Sequence, residues 1–153
     1  MKNNQGFIEL KNVNDYWKKL QSDYDDLKDN DEDVYLAFNF FITSYHLIDW
    51  IFKGKISNER RKLIKAPILK ICGHIANGIK HFSTDQHKSV KEIEKEGYVE
   101  QGYVEDGYFE SPIMIYLEED LISEFGESIK ITDLADRVMT FWRNELSVRN
   151  LIE

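Results

Sequence analysis

Val-Tyr-Leu-Ala-Phe-Asn-Phe-Phe-Ile-Thr-Ser-Tyr-His-Leu-Ile-Asp-Trp-Ile-Phe, residues 34–52, is the stretch whose reading decides the fold. It is nearly long enough to span a membrane. It carries Asn39, His46 and Asp49, however, and a mid-span Asp alone costs about 2.5–3.5 kcal/mol on insertion. A buried helix is the better reading. Because it is apolar nearly all round, it belongs at the centre of a helical domain.

Three further long helices surround it. Val13, Tyr16, Trp17, Leu20, Tyr24 and Leu27 recur at three and four residues and predict a one-sided helix beginning near Asn12 or Asn14. Asn30 or Asp31 is expected to cap the central helix, with Asp33 in its first turn and Gly54 at its end. Ser57 caps a short basic helix, and Pro67 suits the first turn of the next long one. Ile68, Cys72, Ile75, Ile79 and Phe82 form the core stripe of that helix. The last helix is expected to start at Thr132 as N-cap, stapled by Ile131, with Leu134, Val138, Phe141 and Trp142 facing the core.

Before the last helix the period changes. Residues 90–93, 112–117 and 128–131 read as strands. Between the first two, residues 96–110 repeat a pentapeptide three times: Glu-Gly-Tyr-Val-Glu, Gln-Gly-Tyr-Val-Glu, Asp-Gly-Tyr-Phe-Glu. A period of five cannot keep the tyrosines on one strand face, so each glycine is expected to reset the register in an irregular hairpin or flap. The fold class is mainly α (α+β): a four-helix-bundle-like core with a small β-hairpin or three-strand insertion before the C-terminal helix. Residues 1–153 form a single domain in this reading, with 88–131 as the insertion.

The single cysteine, Cys72, excludes an internal disulfide and fits a reducing compartment. The N-terminal residues lack the apolar core of a signal peptide, so the expectation is a cytoplasmic protein with no membrane partner. A net charge of −8 argues against general affinity for nucleic acid, and no DNA partner is expected. The charge is uneven. Asp23 to Asp33 crowd one connection, while Lys53, Lys55, Arg60, Arg61, Lys62, Lys65 and Lys70 crowd the next. The plain reading of each run is a solvated helix end, but only the basic run can draw in an anion.

Two polar stripes carry the candidate chemistry. His46 and Asp49, three apart, are neighbours on one helix face, and a carboxylate beside a histidine sets its tautomer as a general base requires. Asn39, Thr43 and Lys53 extend that line. Lys70, His74, Asn77 and His81 share a narrow arc of the next long helix, opposite its core stripe. Gly73 and Gly78 lie beside it, each costing a helix interior roughly 1 kcal/mol, which points to a close approach by another group. His74 and His81 are about 10.5 Å apart along the axis, too far for easy sharing of one ion, so neither a metal nor another cofactor is expected.

The run Ala76-Asn77-Gly78-Ile79-Lys80-His81 resembles the Arg-polar-x-x-x-His motif of HEPN domains, a helical-bundle superfamily that includes many bacterial toxin and defence ribonucleases. The match covers about six residues. Asn77 takes the polar position and His81 that of the histidine, while Ala76 stands in place of the arginine. The resemblance implies RNA as ligand and a homodimer that brings the motif helices together, in a family that often works without metal. The chain also resembles small bacterial proteins with a Tyr-His-Leu-Ile-Asp-Trp helix, an Asn-Gly-x-Lys-His helix and glycine-aromatic repeats, a likeness that implies no particular activity.

Three functions follow as expectations. The first is a degenerate HEPN-like protein binding RNA or a nucleotide in a toxin–antitoxin or defence setting. Its catalytic-type residues are His81, Asn77, His46 and Asp49, and its binding residues Lys80, His74, Lys70, Arg60 and Arg61. The second is a non-catalytic module that captures a protein partner through the Gly-Tyr repeat. The third is a metal-dependent hydrolase at His46, Asp49 and a histidine of the later helix.

Overall fold

The computed structural model describes residues 6–81, 87–96 and 111–153; the pentapeptide repeat beyond Glu96, and Phe82, lie outside them. In chain order the elements are α1 (Val13–Asp29), α2 (Val34–Ile51), α3 (Asn58–Leu63), α4 (Pro67–Lys80), β1 (Val90–Lys95), β2 (Ile113–Leu117), α5 (Glu119–Phe125), β3 (Ser128–Lys130) and α6 (Ile131–Val148). The fold is mainly helical, with a small antiparallel sheet of order β1-β2-β3 before the C-terminal helix. No helix among the described residues is long and apolar enough to cross a membrane.

The central position of α2 follows from its composition. It packs on α1, α4 and α6, burying Ala37, Phe40, Phe41, Leu47 and Ile48. Around it lie Trp17, Leu20 and Leu27 of α1, Leu69, Ile71, Cys72 and Ile75 of α4, and Leu134, Val138 and Trp142 of α6. The sheet joins the same core through Ile113, Ile115 and Leu117, the alternate residues of β2. Burial pushes the Cys72 thiol up to about 12, so it packs as an inert apolar group.

Helix ends show where local signals held. Asn12 caps α1, accepting from the Asp15 amide at 2.9 Å, and Ser57 caps α3, accepting from Arg60 at 3.1 Å. Asp33, not Asn30 or Asp31, caps α2: its carboxylate accepts from the amides of Tyr35 and Leu36. The helix ends at Ile51, and Lys53 and Gly54 both take left-handed backbone, with the Gly54 amide reaching back to the Asp49 carbonyl at 2.8 Å. This is a Schellman-type stop with lysine where glycine is usual, a position that strains an L-residue by about 1–2 kcal/mol.

Thr132 is not an N-cap. Strand β3 runs directly into α6, whose first residue is Ile131, and Thr132 is buried within the first turn. With no loop between strand and helix, the sheet pairing of Ile129 sets the entry, and Lys130 occupies the cap position without a side-chain hydrogen bond. Helix α5 was not expected from the sequence. Its signals were Glu119 and Asp120 in a first turn, Leu121 and Phe125 one turn apart, and Gly126 at φ +86° to stop it.

The acidic connection between α1 and α2 is more than a solvated end. Glu32 accepts from the Ser111 amide at 2.8 Å, and Asp31 pairs with Lys130 at 3.4 Å. Together they tie the start of β2 and the end of β3 to the start of α2.

Candidate functional site

His46 and Asp49 sit as their spacing requires, with Nδ1 of His46 3.1 Å from Oδ2 of Asp49. The other carboxylate oxygen accepts from Nη2 of Arg60 at 2.8 Å. A carboxylate can only accept, so Nδ1 of His46 is the donor, which leaves Nε2 as base or acceptor in the neutral ring. Burial pushes the Asp49 carboxyl up, but the hydrogen bonds from His46 and Arg60, with the charge of Arg60, outweigh it and hold its pKa below the usual carboxylate value. Both members of the pair are about 40–45% exposed, so this is an open surface network rather than a buried polar pair. Arg60 is the residue that spacing alone did not connect to Asp49, since eleven residues and a helix break separate them.

The rest of the expected line splits. Thr43 faces α1, where it bonds Asp23 and Lys19. Asn39 lies in a groove between α2, α4 and β1. Arg61, Lys62, Lys53, Lys55, Lys65 and Lys70 are exposed along and beside α3, so the basic run is a solvent-facing surface that begins next to the His46–Asp49–Arg60 network.

Helix α4 runs antiparallel to α2, with Gly73 opposite Tyr45 and Gly78 and Ile79 opposite Tyr35 and Asn39. A Cβ at Gly73 would stand 2.8 Å from the Tyr45 ring, so the close approach inferred from this glycine is to an aromatic side chain. This direction sends His81 towards the start of α2, whereas His46 and Asp49 lie near its end. Tyr35 and Asp49 are fourteen positions apart, roughly 21 Å along the helix. Among the described residues, no hydrogen bond links His46 or Asp49 with Asn77 or His81.

Each residue of the later stripe has its own surroundings. Asn77 donates to the Gly73 carbonyl at 2.7 Å, closing on its own helix. His81 is the extended C-cap of α4 rather than a residue of its last turn, and both it and Lys80 are exposed. Ala76, which stands where the HEPN motif has arginine, is buried at 5% exposure. His74 is the surprise of this face: its Nδ1 accepts the backbone amides of Ser89 and Val90 at 3.1 and 2.8 Å. The ring therefore carries its proton on Nε2, the opposite tautomer to His46, and joins the sheet to α4. Burial, then the neighbouring His87, holds the His74 pKa below its ordinary value, against a smaller upward pull from Glu118. Lys70 lines the adjoining surface with His87, Lys88 and Asp120.

No family model, curated protein or solved structure matches this chain. The candidate site is therefore defined by geometry alone. Among the described residues, no group of three His, Cys, Asp or Glu side chains is placed to share a metal ion. What the surface can do chemically is bind an anion beside a histidine whose outward nitrogen can take or give a proton.

Proposed function

We propose that this chain is an RNA- or nucleotide-binding protein, of the kind the HEPN resemblance implies, and that it binds through the end of α2 and the basic face of α3. The observation that carries this reading is the His46–Asp49–Arg60 network opening onto Arg61, Lys62, Lys53 and Lys55. Net charge of −8 does not oppose it. The acidic connection lies at the start of α2 and the basic run at its end, about 27 Å apart along an 18-residue helix. Screening over about 10 Å at 0.1 M salt separates the two fields. A toxin–antitoxin or defence role is the biological setting this reading suggests.

Binding of a fluorescent single-stranded RNA across a salt series tests it. Replacing exposed Arg61 and Lys62 together with serine leaves the fold intact and lowers the slope of log affinity against log salt by about 1.4, two charges at roughly 0.7 each. Salt-independent binding, or an unchanged slope, removes the proposal.

A protein-interaction or homodimer function is a second reading, favoured by the groove between α2, α4 and β1. Phe38, Ile42, Ile75 and Ile93 line it, and Tyr35 and Ile79 flank it at 76% and 40% exposure. Light scattering should then find a dimer that Tyr35→Ser with Ile79→Ser converts to monomer. A monomeric wild-type chain discards the homodimer.

A further inference from the structure

Asp49 also lines a separate cavity of about 650 Å³ between the start of α1, the end of α2 and the chain after α6. Lys11, Asn14, Trp50, Lys53 and Asn150 contribute to its wall. Tyr16 covers one side of the Trp50 ring, stacked at 4.9 Å and 20°, so the indole is held as a fixed plate. Three backbones at this wall take left-handed angles: Gly6 at φ +84°, Lys53 at +52° and Asn150 at +55°. Lys53 and Asn150 follow the ends of α2 and α6, so two helix stops shape this wall. The cavity volume is that of a small-molecule site.

Its chemistry is divided. Lys11 and Lys53 bring positive charge to its wall beside the start of α1, whose first turn is capped by Asn12. Trp50 offers an aromatic surface, and Asp49 offers carboxylate lone pairs beyond those used by His46 and Arg60. A phosphate, a flat ring and an exocyclic amine on that ring are what these groups recognise together. We infer that this cavity binds a nucleoside monophosphate unit, free or at the end of an RNA strand, with its base against Trp50, an exocyclic amine donating to Asp49 and its phosphate between Lys11 and Lys53.

This deepens the nucleotide-binding reading and rests on it. Trp17 and Trp142 are buried, so added nucleotide reports through Trp50 fluorescence. The full chain is titrated with AMP, GMP, CMP, UMP and inorganic phosphate, and separately with RNA oligonucleotides with and without a terminal phosphate. Saturable quenching by the three amino-bearing nucleotides is expected, with UMP at least tenfold weaker and phosphate alone without effect. Quenching by free nucleotides identifies a soluble ligand; quenching only by phosphate-ended RNA identifies a strand end. Lys53→Gly relieves the left-handed strain and so melts at higher temperature, yet it weakens nucleotide binding about tenfold, as does Lys11→Gln. Wild-type affinity in both variants overturns the inference. Loss of all nucleotide and strand-end binding while Arg61- and Lys62-dependent RNA binding persists overturns this cavity's role alone. Loss of both overturns the underlying reading as well.

Discussion

Ala76→Arg, which writes the missing arginine back into the HEPN-like run, is expected to destabilise the protein by about 4 kcal/mol or more and to restore no RNA cleavage. Position 76 is buried on α4, between Ile75 and the half-buried Asn77. Overfilling a packed site costs about 1–3 kcal/mol, and an unpaired buried charge adds several more. Part of the guanidinium cost is relieved if the long side chain reaches water, which sets the lower end of the range. Against a total stability of about 5–15 kcal/mol, that is a loss readily measured by urea denaturation. Ala76→Gln gives the size effect without the charge. A stable Ala76→Arg protein that cleaves RNA would show that the surface is a nuclease site short of one residue.

His74→Phe is the second large effect, with about 2–3 kcal/mol lost above pH 7 and the mildly acidic part of the stability profile flattened. Phenylalanine keeps the ring but removes the acceptor for two amides, each worth about 1–3 kcal/mol when left without a partner and less where water reaches it. The pH dependence has a definite sign. In the folded protein the His74 pKa lies below its ordinary value of 6.5, because burial and His87 disfavour the cation. The unfolded chain therefore binds the proton more readily. The contribution is complete above about pH 6.5 and is lost as pH falls from there through the folded value. Asp49 and Asp136, whose pKa values are lowered, act in a different window, below their usual value of 3.8. Protection factors of the Ser89 and Val90 amides, taken against the intrinsic exchange rate at each pH, should fall first on mild acidification of the wild type. Unchanged protection factors at those two amides between pH 7 and 5 would show that His74 does not titrate against them.

The difference between His46 and His74 explains what was legible in advance. His46 and Asp49 are three apart on one helix, so the contact follows from helical geometry whatever the helix packs against. His74 meets Ser89 and Val90 across a turn and a change of secondary structure, and no periodicity reports such a contact. Arg60 is similar: its charge was visible, its partner was not. Of the expected arc of Lys70, His74, Asn77 and His81, one member bonds the sheet, one bonds its own helix and His81 leaves the helix as its extended C-cap.

The cavity beside Trp50 shows the same limit more strongly. Lys11, Asn14, Trp50, Lys53 and Asn150 come from the entry to α1, the exit from α2 and the chain after α6, and nothing in their spacing joins them. The α2 stretch, by contrast, carried its own answer. Its length and near-uniform apolarity required a central helix packed on several sides, and Asn39, His46 and Asp49 argued against a membrane span; Tyr35 and Asn39 stay exposed at its start. Strand alternation at Ile113, Ile115 and Leu117, the Asn12 and Ser57 caps and Pro67 were equally local and equally readable. Sequence alone thus determined every element but α5, their order and the central helix, because those depend on interactions within a few turns of chain. Tertiary structure decided which polar residues became a site. That choice depends on the turn after α2, which brings Arg60 of α3 to Asp49, and on the antiparallel course of α4 along α2, which separates His81 from it.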